Sequence, residues 1–254
     1  MKNWLYNKRK QWRLKQALRD RISQRSSLKT ALTKEESLSI PIVINNCNRL
    51  TYLKKLIDWL TENGYKNIFI LDNASTYPPL LEYYKQCKHK IIYLVENTGY
   101  LALWKNKFFD EVKNGYYVYT DPDVVPGNDC PSDLVYQLYE VLNKYPDIEK
   151  TGAALLINDL PDHNKAKLKV IGAENGYWKK EVSKNIYDAP VDTTFALYRP
   201  LAFGNAEECK GYRLGGVYSM HHLPWYEDSE HPTEENLFYK DKMIPGTSVW
   251  TGKS

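Results

Sequence analysis

Cysteine is scarce and scattered. The four residues, Cys47, Cys87, Cys130 and Cys209, form no Cys-x-x-Cys pair. That spacing excludes a disulfide-dense scaffold and predicts a reduced, cytoplasmic setting. No apolar run is long enough to span a bilayer, and no secretory signal pattern opens the chain, so a soluble protein is expected. Gly-x-Gly-x-x-Gly is absent, which removes the dinucleotide fingerprint. Thr251-Gly252-Lys253-Ser254 looks like the end of a phosphate-binding loop, but Thr247 stands where that motif needs glycine. Nor is there a glycine between Asn45 and Arg49, which argues against a Gly-rich nucleotidyltransferase loop.

What is present suits an ordinary globular protein. With 254 residues, 43% hydrophobic and 26% charged, the chain can bury a real core in one large domain or two small ones. Its charge is unevenly spread. Residues 1–30 carry ten Lys/Arg against Asp20, a net +9, whereas the whole chain is +4, which leaves −5 for residues 31–254. Within this basic segment Leu14, Leu18 and Ile22 recur every fourth residue with Trp4 near the same side, and Leu5 and Trp12 stand beside them. A basic amphipathic helix over residues 1–30 is expected. It either docks peripherally on an anionic membrane or packs its apolar stripe on the main domain. The acidic remainder shows no recognition motif, so no nucleic-acid partner is expected.

From residue 40 onward apolar runs alternate with helical patterns, and each run ends in a polar cluster. Ile40–Ile44 leads to Asn45-Asn46-Cys47-Asn48-Arg49, and Thr51 is placed to cap a helix ending at Asn63-Gly64. Asn67–Leu71 leads to Asp72-Asn73-Ala74-Ser75-Thr76, and Ile91–Val95 to Glu96-Asn97-Thr98-Gly99-Tyr100. A helix is expected from Leu101 to Val112. Such alternation predicts an α/β fold with a mostly parallel sheet, whose ligands bind at the carboxyl edge of the strands.

The next strand runs Tyr116-Tyr117-Val118-Tyr119 into Thr120-Asp121-Pro122-Asp123. Pro122 favours extended backbone at Asp121, and in an extended segment side chains two apart point the same way. Two converging carboxylates suit Mg²⁺ or Mn²⁺, which can in turn hold a diphosphate. With 15 aspartates in the chain, chance alone supplies about one such triplet, so its neighbours decide its meaning.

Taken in order, these four segments resemble nucleotide-sugar glycosyltransferases of the GT-A fold, similar to the family 2 enzymes of bacterial polysaccharide assembly. The resemblance is clearest over residues 40–130. It implies a nucleotide-sugar-binding half at 40–130 and an acceptor-binding half at 131–254, within one GT-A domain at 40–254. It further implies that Asn45, Arg49 and Asp72 hold the nucleoside, that Asn97 and Gly99 lie by the nucleotide, and that Asp121 and Asp123 hold the metal. His221-His222-Leu223-Pro224-Trp225-Tyr226 resembles a segment in which a late histidine completes the metal site. That makes His222 a third ligand, with Trp225 and Tyr226 available for sugar stacking. The activity implied is a metal-dependent hexosyl transfer from a nucleotide diphosphate donor, a UDP-sugar, to a glycan or lipid-linked glycan. The alternative is a non-catalytic carbohydrate- or nucleotide-binding protein of the same fold.

Inverting transfer needs a base. Asp192 opens the alternating run Val191–Tyr198 and is the expected candidate. Glu207, Glu208, Glu227 and Asp228 lie in charged clusters that read as solvated surface, and Asp188 reads as a turn residue.

Overall fold

A computed structural model of the chain describes residues 2–28, 31–192, 194–204 and 209–242. Glu207, Glu208, the expected turn at Pro245-Gly246 and the terminal Thr251–Ser254 lie outside these. In chain order the elements are α1 (Lys2–Arg25), α2 (Lys34–Ser37), β1 (Ile42–Asn46), α3 (Thr51–Glu62), β2 (Ile68–Asp72), α4 (Pro78–Gln86) and β3 (Lys90–Tyr93). Then come α5 (Phe109–Val112), β4 (Tyr117–Thr120), β5 (Val124–Pro126), α6 (Leu134–Lys144), β6 (Lys150–Ala153) and α7 (Lys167–Glu174). The chain continues through β7 (Glu181–Ser183), β8 (Ile186–Tyr187), β9 (Ala196–Tyr198), β10 (Gly211–Leu214), β11 (Met220–His222) and α8 (Glu234–Lys242).

Nine strands form one mixed sheet in the order β3-β2-β1-β4-β9-β6-β10-β8-β7. The first four run parallel, and β10 runs parallel to β6. Of the nine, β9 and β8 run against the others. This is the mostly parallel α/β sheet expected, and it passes without a break from residues 40–130 into the later half.

The pleat sorts the apolar residues. Ile42, Ile44, Val118 and Leu197 face a core under the helices, whereas Val43, Tyr117, Tyr119, Ala196 and Tyr198 face the other side. On that second side the Tyr117 and Tyr198 rings stack with centroids 5.0 Å apart. Both faces are covered, which is why β1 and β4 read as nearly continuous apolar runs.

Three expectations are corrected. Leu101–Val112 is not one helix but two short 3-10 turns, Gly99–Leu101 and Leu103–Lys105, followed by α5. Asn106 interrupts it: its backbone is extended and its side-chain oxygen accepts the Phe108 N–H at 2.8 Å. Val191–Tyr198 is not an alternating strand. Its paired part, Ala196–Tyr198, lies between β4 and β6 and is wholly buried. Thr51 does not cap α3. Glu235 does so from α8, accepting the Leu50 N–H at 3.1 Å, the Thr51 N–H at 3.0 Å and the Thr51 hydroxyl at 2.8 Å.

The inner end of α1 is bolted to the domain. Arg25 donates to Glu149 at 2.6 and 2.8 Å and to the Pro200 carbonyl at 2.6 Å, and Arg21 donates to Glu149 at 2.9 Å. Of the expected apolar stripe, Leu18 is half-buried on this same side and Ile22 is 49% exposed, while Arg21 and Arg25 supply the contacts to the domain.

Candidate functional site

The loops after β1, β2 and β3 meet at the carboxyl edge of the sheet, and Gly99 is their node. Its carbonyl accepts from Asn73 Nδ2 at 3.0 Å and from Asn45 Nδ2 at 3.4 Å, while its N–H donates to Asn97 Oδ1 at 2.9 Å. Gly99 sits at φ +76°, a left-handed conformation that glycine adopts without a Cβ penalty. Asn97 Nδ2 reaches back to Cys47 Sγ at 3.5 Å. Burial pushes the Cys47 thiol up to about 11, so it stays protonated at neutral pH.

Asp72 is buried and turned into the protein. Its Oδ2 accepts the Ser75 N–H at 3.1 Å and its Oδ1 accepts the Tyr84 hydroxyl at 2.9 Å, while that hydroxyl accepts from Asn46 Nδ2 at 2.8 Å. The carboxylate therefore shapes the loop beside the expected nucleoside site. Asn48, at φ 55°, does similar work, with its Oδ1 accepting the Thr76 and Tyr77 N–H groups.

Arg49 lies buried beneath α8. It donates to Asn236 Oδ1 at 2.5 Å and stacks on Tyr239, 3.7 Å from the ring centroid, with Tyr52 at 5.0 Å. Tyr239 is pushed up to about 12, chiefly by burial, with Arg49 opposing and Asp123 and Asp121 adding.

The aspartate pair is arranged differently from the extended segment expected. Pro122 and Asp123 form a turn between β4 and β5, so two-residue alternation does not govern the carboxylates. β5 pairs with β11, placing His222 opposite Val124, and the Leu223 N–H donates to the Asp123 carbonyl at 2.8 Å. His222 Nε2 lies 3.6 Å from Asp123 Oδ2, beyond hydrogen-bond length. Burial lowers the His222 pKa, with Asp123 and Glu174 opposing, which favours the neutral imidazole. Trp225 packs on that ring at 4.6 Å and is itself buried, so it is no open sugar platform. Among the described residues, no group of three or more His, Cys, Asp or Glu is gathered closely enough to hold a metal ion.

Several buried polar atoms along this edge are orphaned. Asn45 Oδ1, Asn46 Oδ1, Arg49 Nε, Thr98 Oγ1 and His222 Nδ1 are inaccessible and make no hydrogen bond in the protein. Each such atom costs about 1–3 kcal/mol unless something satisfies it.

Around this edge stand residues that the sequence reading passed over or set aside. Burial raises the Glu227 carboxyl, while Arg49, a hydrogen bond from Asn236 and Lys240 pull it down. It is half-buried in the Arg49 cluster rather than solvated. His221 points elsewhere, to Asp159 at 2.8 Å, and Asp159 also accepts the Tyr226 hydroxyl at 2.6 Å. Asp228 is exposed and paired with His231 at 2.8 Å, which holds its carboxyl down at about 2. Asp188 pairs with Lys180. Asp192 is exposed, and the residues that feel its charge are the buried Lys150 and Tyr198. Val191 beside it packs where Cβ atoms of Gly152 and Gly211 would sit, which ties this loop to the face of the sheet. A cavity of about 540 Å³ between α6, β8 and β10, lined by Lys144, Asn185 and Tyr218 among others, contains none of the expected site residues.

No protein-family model matches the chain, and no curated protein matches it. Solved structures resemble it remotely. TarS of S. aureus is 12% identical at a TM-score of 0.43, covering 73% of this chain and 36% of its own. Glucosyl-3-phosphoglycerate synthase from Mycobacterium tuberculosis, in complex with Mn²⁺ and UDP-glucose, is 15% identical at 0.42, covering 67% and 61%. GalNAc-T7 with UDP, GalNAc and Mn²⁺ is 13% identical at 0.48, covering 77% and 45%. The chain thus spans between about a third and three-fifths of the length of these proteins. At TM-scores below 0.5 the likenesses assign the chain neither a family nor an activity.

Proposed function

We propose that the chain is a glycosyltransferase that takes a sugar from a nucleotide diphosphate donor, a UDP-sugar, and passes it to a glycan or lipid-linked glycan. The observation that carries this reading is the approach of Asp123 and His222, 3.6 Å apart across the β5–β11 pair at the carboxyl edge of the sheet.

The donor set fits Mn²⁺, and less readily Mg²⁺, in kind: hard carboxylates with a neutral imidazole. Asp123 and His222 are already within 3.6 Å of each other, and Asp121 would supply the third donor. A divalent cation held there supplies Lewis-acid stabilisation to a departing diphosphate. The chain's own residues do the rest. Arg49 adds positive charge beside that leaving group. Asn45 and Asn97 hold the Gly99 turn that shapes the loop on which the nucleoside would rest. Asp72 positions the loop after β2 rather than touching the nucleoside.

Two carboxylates compete for the role of base toward the acceptor hydroxyl. Glu227 shares the Arg49 cluster with His222, and burial raises its pKa toward that of a useful base. Asp192 is the alternative, and its exposed position toward Lys150 supports it less. The test of the whole reading is turnover. Intact protein, Mn²⁺ and a panel of UDP-sugars with glycan acceptors should release UDP, and EDTA should stop the release. Donor binding with no UDP release from any donor would point instead to a carbohydrate- or nucleotide-binding module.

A further inference from the structure

The clamp at Glu149 fixes which side of α1 meets the domain. At 100° per residue, Arg21 and Arg25 lie about 40° apart on the wheel and mark the inner side. Ile22, Lys15, Arg19 and Trp12 fall in a separate arc of roughly 80°. All four are exposed, Trp12 at 66% and Ile22 at 49%. An indole and an isoleucine stand exposed beside two cations that have no ion-pair partner among the described residues. Lys15 and Arg19 belong to the stretch that carries +9 over residues 1–30, against −5 for the remainder.

We propose that this outer arc of α1 seats the protein on an anionic lipid surface. The indole and isoleucine would enter the headgroup boundary while Lys15 and Arg19 meet lipid phosphates. Among the described residues no helix is long and apolar enough to cross a membrane, so α1 lies on the surface rather than through it. The buried Arg25–Glu149 pair would then tie the sheet to that surface. Lipid contact through this arc does not depend on the transfer reaction.

The experiment is co-sedimentation of the full chain with vesicles of pure phosphatidylcholine and with vesicles containing phosphatidylglycerol. Association should require the anionic lipid and should weaken as salt rises from 50 to 300 mM. The double variant Lys15→Gln/Arg19→Gln should bind about thirtyfold more weakly, since each surface cation contributes about fivefold. Trp12→Ala/Ile22→Ser should lose about tenfold or more at unchanged charge, which separates insertion from simple attraction. Both variants leave Arg21, Arg25 and Glu149 intact. Equal association with neutral and anionic vesicles overturns the proposal, as does full binding by both variants. Tighter binding to a double-stranded oligonucleotide than to the anionic vesicles at the same salt also overturns it.

Discussion

The two halves of the carboxyl edge are held together in different ways. On the β1–β3 side the polar loops join each other over modest distances along the chain: Asn45 and Asn73 to Gly99, Asn97 to Cys47, and Asp72 to Tyr84. On the other side each contact reaches across much of the chain: Arg49 to Asn236, Thr51 to Glu235, and Asp123 to His222. The first half is a preformed cradle. The second is assembled only when β11 and α8 dock. Chemistry is therefore expected to depend most on the far side, and local stability on the near one.

The sharpest way to break that contrast is at Asp123. Asp123→Ala removes one of the two groups already converged and should lower UDP release about 10³-fold, the upper end of what one electrostatic partner of a transition state contributes. Its melting temperature should stay close to the parent's, because Asp123 is partly exposed and its backbone bond to Leu223 survives. Activity within tenfold of the parent would remove Asp123 from the site. Next in size is the choice of base. Glu227→Gln should cost about 10²-fold or more in kcat with donor affinity preserved, as expected for loss of a general base. Asp192→Asn should cost only a few-fold. The reverse pattern would restore Asp192 to the role expected from sequence, and a product of retained configuration would remove the need for either.

Much of the near half was legible, because buried parallel strands carry continuous apolar runs and their loops are short. β1, β2 and β4 fall within two residues of expectation, and the polar clusters after β1, β2 and β3 do meet. Asp72 and Arg49 lie at the carboxyl edge of the sheet, but their side chains are engaged by Tyr84 and Asn236, which no local pattern shows. The later half was harder. β9 is three residues long and buried on both faces, so the alternation read from Val191 to Tyr198 was coincidental. Glu227 read as solvated from its charged neighbours, yet its burial comes with α8, which follows several residues later. The expectation for His222 comes from a resemblance rather than from its spacing, since β11 is too short to announce itself.

On the near side, Tyr84→Phe removes the hydroxyl that joins Asp72 Oδ1 to Asn46 Nδ2 and leaves both buried groups short of a partner. The expected cost is about 1–3 kcal/mol of stability, read by denaturant unfolding, with kcat changed by no more than a few-fold. A kcat loss that rivals Glu227→Gln would mean that the cradle itself enters the chemistry.

The smallest effect expected tests how α8 is coupled to the rest. Glu235 caps the first turn of α3 through the Leu50 and Thr51 N–H groups, and its neighbour Asn236 holds Arg49. Glu235→Ala removes an external cap from a helix whose Leu50 has no capping side chain, a loss of about 1 kcal/mol. It also frees α8, and Arg49 would then lose its fixed position. Donor affinity should fall several-fold more than the stability loss alone predicts, while Glu235→Gln, whose amide oxygen can still accept from one N–H, should recover part of both. Equal recovery of stability and affinity would make α8 a structural strut. Recovery of stability without affinity would show that its carboxylate, not just its docking, sets the position of Arg49.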